Sequence, residues 1–275
     1  MNNFTLRTIS GAVYVSLVIA CLLTGTWMSF ILFFIFNILA LWEYSGLTLK
    51  NYSLQHKIIF IISGVLIFSI TALWQFMFIT PKVLGILLVL AVLPFINELF
   101  FKNQNPFDVI GKQLTGLIYI SLSLSLMFGL GYKRLVLKDG NLVYNGMLVL
   151  SVFILIWVND TFAYLVGKWK GKRPLLSRIS PKKTIEGSIG GLIFTVAVSI
   201  GLYFWFTQFM IYQYAILGVL ISISAIAGDL VESMLKRSLE VKDSGKLIPG
   251  HGGILDRIDA VLITAWVVFI YFQLI

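Results

Sequence analysis

The chain alternates long apolar runs with short polar breaks. Crossing a bilayer takes about 20 mostly apolar residues at about 1.5 Å of rise each. Nine runs qualify, roughly 8–24, 27–47, 58–79, 83–101, 113–132, 147–167, 188–208, 211–231 and 256–275. The pattern predicts an all-α, polytopic integral membrane protein with about nine transmembrane helices. The last run is the tightest. Only 16 residues follow from Ala260 onward, about 24 Å of helix, so a full crossing begins near Asp256 and puts Asp256 and Asp259 at the membrane surface.

Composition agrees. Apolar and aromatic residues make up 59% of the 275 residues and charged ones 12%, half the ~25% of a soluble domain. The first run has no small-residue cleavage site and leads straight into the second, so it reads as an anchor, not a removed signal. Cys21, the single cysteine, lies in an apolar run and reads as a small hydrophobe.

The net charge of +9 would suggest nucleic acid in a soluble protein. Here it reads as a topology signal instead. With the N-terminus cytoplasmic, 17 of the Lys and Arg residues fall in inside loops and four (Lys82, Lys133, Arg134, Lys138) outside, a clear positive-inside bias. The N-terminus is expected inside and the C-terminus outside, with the site facing the cytoplasm of the cell's inner membrane.

Content divides the chain. Residues 1–146 have few charges, at loop ends, and read as a transmembrane scaffold. Residues 147–275 read as a catalytic region with two cytoplasmic loops, 168–187 and 232–257, and hold eight of the twelve acidic residues. No internal repeat is evident, so an inverted-repeat transporter has no support.

The densest chemistry is Ser233–Asp259, SMLKRSLEVKDSGKLIPGHGGILDRID. Asp229, Glu232, Ser233 and Lys236 share one helix face by their spacing, and Asp256 and Asp259 share another. Asp160 lies near the cytoplasmic end of the sixth run. Magnesium takes hard oxygen ligands, one or two carboxylates completed by phosphates and water, and Asp229 with Asp256 fit that description. Capping and ion pairing are the other reading, and suit Glu232 and Glu240 better. The glycine-rich turn offers Lys242, Lys246, His251, Gly252 and Gly253; beside Lys236, Arg237 and Arg257 it reads as a phosphate cradle.

In the first loop, SPKKT carries Ser180, Lys182 and Lys183. If Ser180 caps a helix and Pro181 takes its first position, both lysines fall in the first turn, where a cation opposes the helix dipole. A bound polyphosphate would reverse the sign of that interaction.

Ser233, Lys236, Arg237, Lys242, Asp243, Pro249, His251, Gly252, Gly253, Asp256, Arg257 and Asp259 together resemble the signature of phosphatidate cytidylyltransferases, the CDP-diacylglycerol synthases. NDTFAYLVGKWKGKRPLLSRISPKKTIEGSIGG resembles the same family. The resemblance implies magnesium-dependent reaction of CTP with phosphatidate to give CDP-diacylglycerol and pyrophosphate, in phospholipid biosynthesis. It implies a membrane-embedded homodimer and a paired-cation site on Asp229 and Asp256, with potassium as a companion ion. Asp259 would be a ligand or its partner. Lys182, Lys183, Arg237 and Arg257 would hold phosphates, and Asp160 would orient the metal site or contact the nucleotide.

Two other readings fit parts of the pattern. A CTP-dependent transferase acting on another lipid phosphate or a polyprenol shares the charge layout. A cation-conducting membrane carrier would spread its acids through the membrane depth, whereas these gather on one side.

Overall fold

Inside a bilayer every backbone N–H and C=O must be satisfied without water, which leaves helices or closed barrels. Apolar runs of this length therefore fold as helices. The computed structural model describes residues 3–77, 84–132, 144–204, 209–245, 247–248, 250 and 252–275. In chain order the elements are α1 (Asn3–Thr24), α2 (Thr26–Thr48), α3 (Leu54–Met77), α4 (Leu84–Glu98), α5 (Pro106–Gly116), α6 (Ser123–Gly129), α7 (Gly146–Lys170), β1 (Pro174–Leu176), β2 (Ser180–Thr184), α8 (Ile185–Leu202), α9 (Ile211–Ser238) and α10 (Leu255–Leu274). A π-helical turn, Leu117–Leu122, joins α5 to α6.

The all-α class is as expected, and a helix stands within each of the nine apolar runs. Six stretches among the described residues are long and apolar enough to cross a membrane: Thr26–Thr48, Leu54–Gln75, Pro106–Tyr132, Gly146–Lys170, Ile185–Leu202 and Ile211–Ser238. Their outer faces suit lipid. On α3, Ile58, Ile62 and Leu66 form an exposed apolar stripe at helical spacing, while Phe60, Ile67 and Phe68 are buried.

The chain forms two compact units, Met1–Gly146 with Asp243–Arg257, and Met147–Lys242 with Ile258–Ile275. In the first, Phe33, Phe68 and Phe128 are fully buried, with Phe30–Phe68 and Phe128–Tyr144 centroids 5.6 and 5.4 Å apart. Tyr44 donates to the Lys112 carbonyl at 3.0 Å, which fixes the C-terminal end of α2 against α5.

In the second unit the helices are held by small residues and polar links, the usual means where water gives no hydrophobic drive. Ser222 Oγ donates to Asn159 Oδ1 at 2.7 Å, joining α9 to α7. Ser199 Oγ donates to the Tyr214 carbonyl at 2.6 Å, joining α8 to α9. Ser224 and Thr264 hydroxyls lie 3.1 Å apart between α9 and α10. Gly228 of α9 lies so close to α10 that a Cβ there would stand 2.6 Å from the Asp259 carbonyl oxygen.

One expectation is corrected. Ser180 does not cap a helix, and Lys182 and Lys183 are not in a first helical turn. Ser180–Thr184 is β2, paired antiparallel with β1 through Pro174 to Thr184 and Leu176 to Ser180. The helix starts five residues later, because Thr184 is extended and its hydroxyl accepts from the Gly187 amide at 3.1 Å, an N-cap. Pro181 is tolerated because both strands of a two-stranded ribbon are edges.

Gly228→Ala drives a methyl group into the α10 backbone and is expected to cost about 1–3 kcal/mol. It should be read as a lower melting temperature of the detergent-solubilised protein. Gly201→Ala on α8, where a Cβ meets nothing within 4 Å, should leave that temperature unchanged or slightly raised.

Candidate functional site

The polar side chains of the second unit gather where α7, β2, α9 and α10 carry their acids and lysines. Asp229 of α9 is half-buried and ion-paired through Oδ2 to the Lys183 ammonium on β2. Its other oxygen accepts from Ser233 Oγ at 3.1 Å, one turn further along α9. Asp259 of α10 is half-buried, and one of its oxygens accepts from the Ala260 amide at 2.7 Å. It feels the charges of Asp229, Asp160 and Lys183. Three carboxylates thus share a neighbourhood with the Lys183 ammonium.

The ribbon that carries Lys183 is anchored at its base. Glu186 accepts from the Lys172 and Arg173 amides at 3.1 and 3.2 Å and pairs with Arg173 Nε at 3.0 Å. Arg237 reaches back from α9 to the carbonyls of Ile179, at 3.5 Å, and Val241, at 3.3 Å. Lys182 and Lys242 are exposed, and Ser180 is half-exposed. Lys236 pairs with Glu232 one turn away, and Glu232 is fully buried.

In the first unit Asp256 stands in the first turn of α10. Its Oδ2 accepts from the Ser244 amide at 3.0 Å, Ser244 Oγ at 2.9 Å and the Gly253 amide at 2.8 Å. Gly252 has φ +80°, which L side chains rarely adopt, and a Cβ there would stand 2.6 Å from Asp256 Oδ2. Arg257 is half-buried, and its carbonyl accepts from the Tyr14 hydroxyl at 3.3 Å. Lys246, Pro249 and His251 lie outside the described residues.

Glu43 was missed by sequence reasoning. Sequence assigned the charges of residues 1–146 to loop ends, yet Glu43 sits on α2 and is buried. It accepts from the amides of Ile254 and Leu255, both at 2.9 Å, and lies 3.1 Å from Ser244 Oγ. The available signal was a carboxylate embedded in an apolar run, which is costly without a task. The amide of Gly253, in the turn read from sequence as a phosphate cradle, is engaged by Asp256, and the next two amides, Ile254 and Leu255, by Glu43.

The donor set is made of hard oxygens, which suits magnesium. Among the described residues no three acidic, histidine or cysteine side chains close on a point able to hold a metal ion. Magnesium habitually keeps waters and takes substrate phosphates to complete its shell. A divalent cation would relieve the mutual repulsion of Asp160, Asp229 and Asp259.

Comparison with known proteins gives the chain a family. The model of the cytidylyltransferase family matches residues 5–275. A phosphatidate cytidylyltransferase of Synechocystis sp. is 48% identical over 134 residues, covering 48% of this chain and 45% of that protein. One of Staphylococcus aureus (strain COL) is 47% identical over 116 residues, covering 42% and 44%. YnbB of Escherichia coli, an uncharacterised protein, is 44% identical over 138 residues, covering 50% and 46%. The chain spans less than half the length of each of these relatives.

Because Thr184 ends the ribbon and starts α8, Thr184→Ala is expected to cost about 1 kcal/mol of capping. Hydrogen exchange at the Gly187 amide should quicken by about five-fold where it proceeds by local opening of the helix end. Exchange at Ser224 on α9 should not change.

Proposed function

This chain belongs to the cytidylyltransferase family, and from that premise we propose that it transfers the cytidylyl group of CTP to phosphatidate. An oxygen of the phosphatidate phosphate attacks the α-phosphorus of CTP. A new P–O–P bond forms, the bond from the α-phosphorus to the bridging oxygen of the β-phosphate breaks, and pyrophosphate leaves. The attacking oxygen is already ionised at neutral pH, so no strong base is required. What the reaction needs is relief of repulsion between two polyanions and charge stabilisation on the leaving group.

The crowding of Asp160, Asp229 and Asp259 around the Lys183 ammonium supports this reading best. Carboxylates that repel one another are the natural complement of a divalent cation. We assign Asp229 and Asp256 as the residues that would hold magnesium, with Asp259 as a further ligand or its partner and potassium as a second ion. Magnesium, when bound, supplies positive charge to the phosphates that meet at the site. Lys182, Lys183, Lys236, Arg237 and Arg257 would clamp phosphate oxygens; Lys183, already paired to Asp229, would exchange that partner for substrate. Ser180, Lys242, His251, Gly252 and Gly253 would line the nucleotide side, and Asp160 would contact CTP or steady the metal.

The acyl chains of phosphatidate would stay in the bilayer while its headgroup reaches the cytoplasmic face. The positive-inside charge bias supports that orientation, and the bacterial sources of the relatives go with the inner membrane of a bacterial cell. A homodimer belongs to the same proposal. The names of the relatives favour phosphatidate over another lipid phosphate or a polyprenol.

Membranes holding the chain, given labelled CTP, magnesium and phosphatidate, should yield a lipid-soluble cytidine product and pyrophosphate, both lost with EDTA. Asp229→Asn and Asp256→Asn should each abolish the product in protein that still inserts. Absence of product across several phosphatidates, or near-normal turnover in either variant, would refute the assignment concerned. Combined Lys182→Ala and Lys183→Ala should raise the CTP concentration for half-maximal rate by about 10-fold, allowing for partial solvent exposure of the pair. An unchanged requirement would return both lysines to the role of solvated surface charges.

A further inference from the structure

We infer that Glu43 is a positioning residue that sets the orientation of the Asp256 carboxylate. The inference rests on the proposed metal-holding role of Asp256. It concerns a residue of α2 that lies 213 positions from Asp256 in sequence and belongs to no part of the motif.

Three consecutive amides at the start of α10 are divided between two carboxylates. Gly253 donates to Asp256 Oδ2, while Ile254 and Leu255 donate to Glu43 Oε1 and Oε2. The first N–H groups of a helix have no partner within it and favour negative charge. An acid within the same turn usually meets this need; here a distant helix supplies one. Ser244 joins the two halves. Its Oγ lies 2.9 Å from Asp256 Oδ2 and 3.1 Å from Glu43 Oε2, within donating distance of either acid.

The surrounding backbone is shaped to this arrangement. A Cβ at Gly245 would stand 2.4 Å from Glu43 Oε1, and one at Gly253 would stand 2.3 Å from Glu43 Oε2 and 2.2 Å from Ser244 Oγ. These glycines leave room for the side chain of Glu43, which is 6% exposed. Removing its charge loosens the hold on both amides and leaves the serine hydroxyl to Asp256 alone, so the turn that aims Asp256 loses its fixed end. Partners of metal-holding carboxylates tune affinity in this way, and their loss costs about 10–100-fold.

A comparison within the same unit separates positioning from mere support. Glu98 is equally buried and paired to His56 at 2.8 Å, with Asn103 donating to its other oxygen at 2.7 Å. These contacts involve neither Ser244 nor Asp256.

The test uses the full chain purified in detergent, with Mn2+ as the probe and free Mn2+ followed by electron paramagnetic resonance, without nucleotide or lipid. Glu43→Gln should weaken Mn2+ binding by about 10-fold or more and speed exchange at the Ile254 and Leu255 amides. Glu98→Gln should leave the Mn2+ affinity unmoved. Should Glu43→Gln fail to insert, Ser244→Ala, which leaves the bonds from Glu43 to Ile254 and Leu255 in place, should still weaken Mn2+ binding. If Asp256→Asn removes Mn2+ binding while Glu43→Gln or Ser244→Ala binds as the parent does, positioning is overturned and the metal role stands. Equal weakening by Glu98→Gln and Glu43→Gln also overturns it, as general loss of structure. Parent-like Mn2+ binding in Asp256→Asn overturns the metal role itself, and the inference with it.

Discussion

A carboxylate carried into an apolar helical bundle must meet donors or cations there, because an isolated buried charge is far too costly to persist. Much of the polar structure in this chain answers that requirement. Glu43 is met by two amides and a serine, Asp229 by Lys183 and Ser233, Glu232 by Lys236, and Glu98 by His56 and Asn103. Asp160, Asp229 and Asp259 lie within electrostatic reach of one another and of Lys183. Within the second unit, that gathering of acids is the feature most readily read as preparation for a ligand.

Glycine does two different jobs around these acids. Gly228 permits close approach of two helix backbones, so that α9 and α10 carry Asp229 and Asp259 near each other. Gly245, Gly252 and Gly253 instead make room for carboxylate oxygens, those of Glu43 and Asp256. From sequence, Gly252 and Gly253 looked like part of an opening for phosphate. In the structure, the space beside those glycines is occupied by acids of the chain itself.

Much of the fold was legible because length and apolarity determine a membrane helix almost alone. The start of α10 at Leu255, just ahead of Asp256, followed from such counting. The ribbon was not legible. Ser-Pro-Lys-Lys-Thr suits a helix start as well as an edge strand, and only the pairing of Leu176 with Ser180 and the cap at Thr184 decide between them. The acids of the motif were evident from their spacing on helix faces. Glu43 was hidden because its partners lie some 200 residues away, and no local pattern registers a contact that tertiary packing creates. His251 and Lys246, singled out from sequence, lie outside the described residues.

The ribbon is fused to the helix that follows it. Glu186 in the first turn of α8 grips the amides of Lys172 and Arg173, while Thr184 closes the end of the same helix. Strand and helix therefore behave as one lever. A displacement of α8 would carry the Lys183 ammonium with it, and so alter the spacing of that ammonium from the Asp229 carboxylate of α9.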